Sequence, residues 1–331
     1  MRLLRQADIE TALPMREAIR LMGLAFQAIS AHSVHTAERQ VLQTACGHAL
    51  MMGACCGGDT APDGVAGIVT KLVTVIPANR DRGLPVSSGL ALLVDHENGQ
   101  PLALLDATAL TAWRTAAAAG FATDLLSRPD ARCGLMVGSG TQARAQLLAM
   151  DSVRNLKKIH VMAQTPDRIR ILIDKVQPEV SAQLIAVKSP AENEMAVSEA
   201  DLITTATTAT TPVFSGAAAS PGCHVNGIGS FRPDMRELDN ALIDRSIVFV
   251  ESRLTAREEA GELIAGCDSG VTAVDQWREV GEVIAKKARG RENDQQITFY
   301  KSVGHSVFDL FAASAIHRRS EALGLGQEWS L

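Results

Sequence analysis

The chain predicts an α/β fold in which a doubly wound parallel sheet stands beside a second, α+β domain. Three observations carry this. The length of 331 residues exceeds one average domain and can bury two cores. From residue 132 onward, short apolar runs alternate with helical stretches, the rhythm of a parallel sheet with crossover helices. Before that point the apolar runs are separated by turn-formers, which is the punctuation of an antiparallel or mixed sheet.

In chain order, "MREAIRLMGLAFQAIS" at 15–30 spaces its apolar residues for an amphipathic helix. "RQVLQT" (39–44), "GIVTKLVTVIP" (67–77), "SGLALLVD" (88–95) and "PLALLD" (101–106) read as strands, divided by "PANRDRGLP" and "DHENGQP". The alanine-rich stretch 106–127 reads as a long helix with Asp or Thr as N-cap, stopped before Pro129, and it leads toward the second domain. "CGLMV", "KIHVM", "QLIAV", "DLITT", "CHVNGIG" and "SIVFV" follow as strands, with helices over 141–150 and 166–176 among them. A last strand, a turn at Gly304 and a closing helix end the chain.

Composition excludes several function classes. Hydrophobic residues make up 46% and charged residues 21%, as in an ordinary soluble globular protein. A net charge of −5 and a pI near 5.9 provide no basic field for nucleic acid or an anionic membrane, so a small-molecule partner is expected. No apolar run reaches the roughly 18 to 20 residues of a membrane span, and "MRLLRQADIETALP" lacks a signal-peptide core; a cytoplasmic protein is expected. Cys46, Cys55, Cys56, Cys133, Cys223 and Cys267 fit neither a zinc pattern nor a disulfide framework, so they are read as reduced thiols and no metal is expected.

"CGLMVGSGTQARAQLL" (133–148) carries the nucleotide signal. Gly138, Ser139, Gly140, Thr141, Gln142 and Ala143 match G-x-G-x-x-G/A: Gly138 for the tight turn, Gly140 for close approach of a pyrophosphate, Ala143 for helix-to-strand packing. Alone, the pattern also describes a plain glycine turn. A strand before it, a helix after it and its place at the head of the alternating region favour a Rossmann-type NAD(P)-binding domain. An acid after the second strand would bind the ribose 2′-hydroxyl, and Ala163, Gln164 and Thr165 stand there instead. NAD(P)H is therefore the expected cofactor, with NADPH slightly favoured over NADH.

Three cations interrupt otherwise apolar or small segments: Arg39, Lys71 in a valine-rich strand, and Arg114 in the alanine-rich helix. Burying such charges is costly unless an anion pairs with them. The anion is either a ligand carboxylate or a structural Asp, and the cations otherwise reach solvent.

The stretch 71–120, then "VGSGTQA", "VNGIGSFRPDMRELD" and "YKSVGHSVFDL", resembles the ornithine cyclodeaminase/mu-crystallin family in order and spacing over most of the chain. The resemblance implies a substrate-binding and dimerisation domain over 1–125, completed by 300–331, around an NAD(P)-binding domain over 126–299, in a homodimer. It places Arg39, Lys71 and Arg114 at the substrate carboxylate, with Lys71 beside the reacting centre as the catalytic candidate for proton handling. It places Thr115 and 138–143 at the pyrophosphate, and Thr207, Ile228, Gly229, Ser302, Val303 and Gly304 near the nicotinamide.

Departures from the family are informative. Members that cyclise ornithine carry an Asp after paired glycines, where this chain has Gly229, Ser230 and Phe231; Ser87-Ser88-Gly89 and Ala107 also depart. The resulting expectation is an NAD(P)H-dependent reductase that converts imino acids, such as Δ1-pyrroline-2-carboxylate or Δ1-piperideine-2-carboxylate, to L-amino acids. Alternatives are an alanine dehydrogenase-like or N-alkyl amino-acid dehydrogenase, an ornithine cyclodeaminase using Asp234, and a non-catalytic NADPH-binding protein. Cys55-Cys56 with "GGDTAPDG" is read as a loop, His96 as a solvated turn, "KKARGREND" as a solvated helix end, and His305 as a helix cap or surface residue in preference to a nicotinamide neighbour.

Overall fold

The computed structural model describes residues 1–57 and 65–330; of the loop expected over Cys55-Cys56 and GGDTAPDG, residues 58–64 lie outside the described residues, whereas Cys55 and Cys56 end a strand instead, because they pair with Ile68 and Gly67 on the neighbouring one. The chain divides into two compact units, Met1–Arg114 with His305–Leu331, and Thr115–Gly304.

The first unit opens with β1 (Arg2–Leu4), α1 (Gln6–Ala12) and α2 (Met15–Ser30), whose bounds equal those predicted. Met15, Ala18, Ile19, Met22, Ala25, Phe26 and Ile29 line its buried face at helical spacing. Strands β2 (His35–Thr44), β3 (Gly47–Cys56), β4 (Gly67–Val75), β5 (Ser87–Val94) and β6 (Pro101–Asp106) follow as a meander. Strand β3 was not anticipated, because "GHALMMGACC" has no β-branched or aromatic residue; its pairing with both β2 and β4 supplies what local preference does not. Helix α3 (Ala107–Leu126) leaves β6 directly, and Asp106 Oδ1 accepts from the amides of Thr108 and Ala109 at 2.9 and 3.0 Å.

The second unit contains β7 (Cys133–Val137), α4 (Ala143–Val153), β8 (Lys158–Met162), α5 (Pro166–Val176), β9 (Gln183–Ala186), α6 (Pro190–Glu199), β10 (Leu202–Thr205) and β11 (His224–Gly227). It continues through α7 (Asn240–Asp244), β12 (Ser246–Val250), α8 (Arg253–Glu259), α9 (Gly261–Asp268), β13 (Arg278–Glu279), α10 (Val280–Ile284) and β14 (Ile297–Lys301). The sheet order is β13-β12-β14-β11-β10-β7-β8-β9, and every pairing is parallel. Leu135 and Val137 of β7 enter one apolar cluster and Met136 the other, so the period of two sends side chains into cores on both faces. Strand order reverses at β7, the topological switch point where such sheets bind ligands.

The solvated run expected over 286–294 is interrupted at Arg291, which donates to the carbonyls of Leu126 and Gln296 at 2.7 and 2.5 Å and to Thr298 Oγ1 at 2.9 Å. A fork of five donors can satisfy several loop carbonyls at once, which charge density along the sequence does not reveal.

The chain returns to the first unit through α11 (Ser306–Leu323) and β15 (Gln327–Glu328). That unit's sheet runs β15-β1-β6-β5-β4-β3-β2, with β1 parallel to β6 and the other pairs antiparallel. Helix α11 is buried along most of its length and meets α2 through an edge-on Phe26–Phe308 pair at 4.9 Å. The division between units falls within α3, between Arg114 and Thr115, and after Gly304, against the expected 125/126 and 299/300. Among the described residues, no helix is long and apolar enough to cross a membrane.

Candidate active site

In the first unit the strand alternation turns Val69, Lys71, Ala91 and Leu93 inward, so Lys71 occupies a core position. Its ammonium donates to Asp309 Oδ2 at 2.7 Å and to Thr111 Oγ1 at 3.2 Å. Arg114 Nε donates to Asp309 Oδ1 at 2.9 Å, and its guanidinium lies 6.0 Å from the Phe308 ring centre. All three charged residues are at most 4% exposed. Burial pushes the Lys71 ammonium down to about 8, against the pull of Asp309 and with help from Arg114 and Arg39. Burial alone would raise the Asp309 carboxyl, but Arg114 and Lys71 outweigh it and hold the group ionised.

The structural Asp left open by the sequence is therefore real, and it is shared. One carboxylate serves two buried cations, and Arg39, half-buried on β2, acts electrostatically on Lys71. The cluster keeps an excess of positive charge, and Nη1 of Arg114 is buried without a hydrogen-bond partner. Sequence reasoning missed Asp309. The signal was an acid set among Phe308, Leu310 and Phe311, where only a cation makes burial tolerable.

His305 caps α11: its Nδ1 accepts from the Val307 amide at 3.3 Å. Burial first, and Arg114 second, push its imidazole down to about 4, so it is neutral near pH 7. Asp234 is exposed and forked by Arg232 at 3.0 and 3.1 Å.

In the second unit the residues assigned to a nucleotide gather at the C-terminal ends of the parallel strands. Residues 138–143 follow β7, 163–165 follow β8, Thr207 follows β10, 228–229 follow β11 and 302–304 follow β14. Gly138 has φ +119°, and a Cβ there would lie 2.5 Å from the Ala206 carbonyl oxygen. At Gly140 a Cβ would meet nothing within 4 Å, so the backbone faces open space as a phosphate cradle requires. Gln142 precedes α4 without capping its amides, its Oε1 is buried without a partner, and Ala143 is fully buried against the sheet. Ala163, Gln164 and Thr165 carry no carboxylate, and Gln164 and Thr165 are exposed. This turn fits a dinucleotide. Thr115 is buried on α3 and makes no side-chain hydrogen bond to these turns among the described residues.

Sequence reasoning also missed the acids beneath three of these segments. Glu237 accepts from the amides of Thr207 and Gly229, and Glu251 from those of Val303 and Gly304. Such pairings span 8 to 53 positions of the chain and leave no local motif.

Ligand atoms of Cys133, His160 and Glu199 lie within 4.8 Å of one another, a grouping the sequence did not suggest. Glu199 is already bound by the Lys158 ammonium at 2.5 Å, and burial pushes the Cys133 thiol up to about 11. The carboxylate is neutralised and the thiol protonated, which leaves a weak donor set.

The chain is similar to known proteins over nearly its full length. A family model described as "Ornithine cyclodeaminase/mu-crystallin family" matches residues 2–323. A Δ1-pyrroline-2-carboxylate reductase of Bacillus cereus is 35% identical over 318 residues, 95% of each chain. The structure of Thermococcus litoralis Δ1-pyrroline-2-carboxylate reductase in complex with NADH and L-proline superposes with TM-score 0.92 at 30% identity, covering 99% of this chain and 100% of that one. An archaeal alanine dehydrogenase dimer with bound NAD superposes with TM-score 0.88 at 26% identity, covering 100% and 99%.

Proposed function

The chain belongs to the ornithine cyclodeaminase/mu-crystallin family, and we propose that it is an NAD(P)H-dependent reductase of imino acids. Its substrates are cyclic ketimines such as Δ1-pyrroline-2-carboxylate or Δ1-piperideine-2-carboxylate, and its products are L-amino acids. The observation that carries this reading is the charge excess around Asp309. Lys71 and Arg114 outnumber the one buried carboxylate they share, and the unpartnered Nη1 of Arg114 is a donor in want of an acceptor. A substrate carboxylate supplies that anion and completes the Arg fork. The names and bound ligands of the 35% and 30% identical relatives support the same chemistry.

The cations fix the carboxylate and so orient the adjacent C=N group, and positioning of this kind supplies much of the rate. Lys71, depressed to about 8, holds a proton at neutral pH and gives it to the imine nitrogen, which makes the imine carbon electrophilic. Asp309 keeps Lys71 and Arg114 in place and offsets their mutual repulsion. Residues 138–143 would hold the pyrophosphate of a reduced nicotinamide cofactor, which would supply the hydride. Thr207, Ile228, Gly229 and 302–304 would line its nicotinamide end and Thr115 its pyrophosphate side. The lack of an acid at 163–165 leans the preference toward NADPH.

The same reading includes a homodimer. Leu72 and Leu90 are cross-strand partners on the outward face of the first unit's sheet, exposed by 43% and 55%, with Ile68 on the same face of β4. Contiguous apolar surface of that kind calls for a partner. The six cysteines are all free, in keeping with a cytoplasmic setting.

Consumption of NADPH and of NADH against both cyclic imines, and against pyruvate with ammonia or methylamine, tests the proposal. The highest kcat/KM on a cyclic imine is expected. A higher value on pyruvate with an amine would instead make the enzyme an alanine dehydrogenase-like or N-alkyl amino-acid dehydrogenase.

A further inference from the structure

Three glutamates of the second unit are fully buried beside the strand ends: Glu237, Glu251 and Glu262 are 0%, 1% and 0% exposed. An ionisable carboxyl is costly to bury, and for stability alone an apolar side chain of similar volume serves as well or better. What each one holds is specific. Glu251, the residue after β12, receives four donors from one five-residue segment: Tyr300 Oη at 3.0 Å, Ser302 Oγ at 2.5 Å, Val303 N at 3.2 Å and Gly304 N at 3.4 Å. No cation contacts it among the described residues. Glu237 takes Thr207 N and Gly229 N at 2.6 Å each, one on either oxygen, and Thr205 Oγ1 at 2.9 Å. Glu262 bonds Ser230 Oγ, accepts the Glu237 amide at 3.1 Å and faces the buried Lys301 ammonium at 3.3 Å. Lys301 in turn donates to Ser230 O and Oγ at 2.6 Å each.

The three segments so anchored are 205–207, 227–230 and 300–304, which follow or end β10, β11 and β14. We propose that Glu251 and Glu237, braced by the Glu262–Lys301 pair, are positioning residues that set the loops bordering the nicotinamide end of the cofactor. This rests on the reading of the site as an NAD(P)H site. A hydrogen bond from a backbone amide fixes a loop by its main chain, so the loop's shape holds whatever side chain it carries. Glu237 ties two separate loops to one carboxylate, so that Thr207 and Gly229 keep a fixed spacing. A Cβ at Gly229 would lie 2.1 Å from the Thr207 carbonyl oxygen, which shows how closely they are drawn together.

The test compares NADH with ADP-ribose, which has the pyrophosphate and lacks the nicotinamide. In Glu251→Gln and Glu237→Gln, calorimetric titration is expected to leave the ADP-ribose affinity within about two-fold of the parent, because the 138–143 turn is untouched. Affinity for NADH falls about ten-fold and turnover about a hundred-fold, the cost of misplacing reacting groups by an ångström. Amide hydrogen exchange speeds up at 302–304 in the first variant and at 207 and 229 in the second. Should Glu251→Gln not fold, Tyr300→Phe removes one of its donors and enters the same titration. Equal weakening of both ligands, or unchanged NADH affinity and turnover, overturns the positioning role. A parent chain that binds neither ligand overturns the nucleotide reading, and the positioning role with it.

Discussion

Asp309 accepts from Lys71 at 2.7 Å through one oxygen and from Arg114 at 2.9 Å through the other. A single carboxylate from α11 thus bridges a cation on β4 and a cation on α3, all three buried. Removing it leaves two charges without a counter-ion. Asp309→Ala is expected to destabilise the protein by about 3–5 kcal/mol, measurable by urea unfolding. Asp309→Asn keeps the size, loses the charge and is expected to be almost as costly.

Removing either cation separates binding from chemistry. Arg114→Ala raises KM for the cyclic imine by about two orders of magnitude, the scale of a lost charged hydrogen-bond pair. Lys71→Met lowers kcat by about 10²–10⁴-fold, the range of general acid catalysis. Steady-state kinetics on one imine reads both. Full activity in either variant would remove these residues from the site.

The depressed Lys71 sets a pH dependence. Its ammonium persists below about 8, so kcat falls as pH rises through that value, and Lys71→Met lacks the limb. Stability moves the other way. Between about 8 and the ordinary lysine value of 10.5 the unfolded chain binds the proton that the folded chain has released, so this residue's penalty is relieved as pH climbs. His305, pushed down to about 4 from 6.5, acts likewise: its penalty is full below 4 and relieved as pH rises through that window. Denaturant midpoints across pH check both windows.

Gly138 and Gly140 separate folding from binding. At Gly138 a Cβ meets a backbone oxygen at 2.5 Å in a φ +119° conformation, so Gly138→Ala lowers the melting temperature. At Gly140 the added methyl enters open space, so Gly140→Ala keeps the melting temperature and weakens dinucleotide binding by about ten-fold or more. Thermal unfolding with and without NADH distinguishes the two.

The proposed homodimer is tested at the outward face of the first unit's sheet. Leu90→Lys places a charge opposite Leu72 and is expected to shift sedimentation from dimer to monomer.

Much of this was legible in the sequence because it is local. The helix over Met15–Ser30 declares itself by periodicity, the strands β4 to β8 by apolar runs between turn-formers, and the 138–143 turn by glycines at fixed spacing between a strand and a helix. Lys71 and Arg114 stood out as charges in apolar segments. Strand β3 escaped because its composition carries no strand preference, and only its two neighbours make it a strand.

The sequence by itself determined the fold class and marked the glycine turn and the three cations as candidates, since each reading rests on residues a few places apart. Only the tertiary structure decided where their charges end: Asp309 meets Lys71 across 238 positions and Arg114 across 195, and Glu251 meets Ser302 across 51. The cost of burying a charge obliges it to find a partner. Which partner it finds is a property of how the strands and helices pack, and that distance along the chain does not encode.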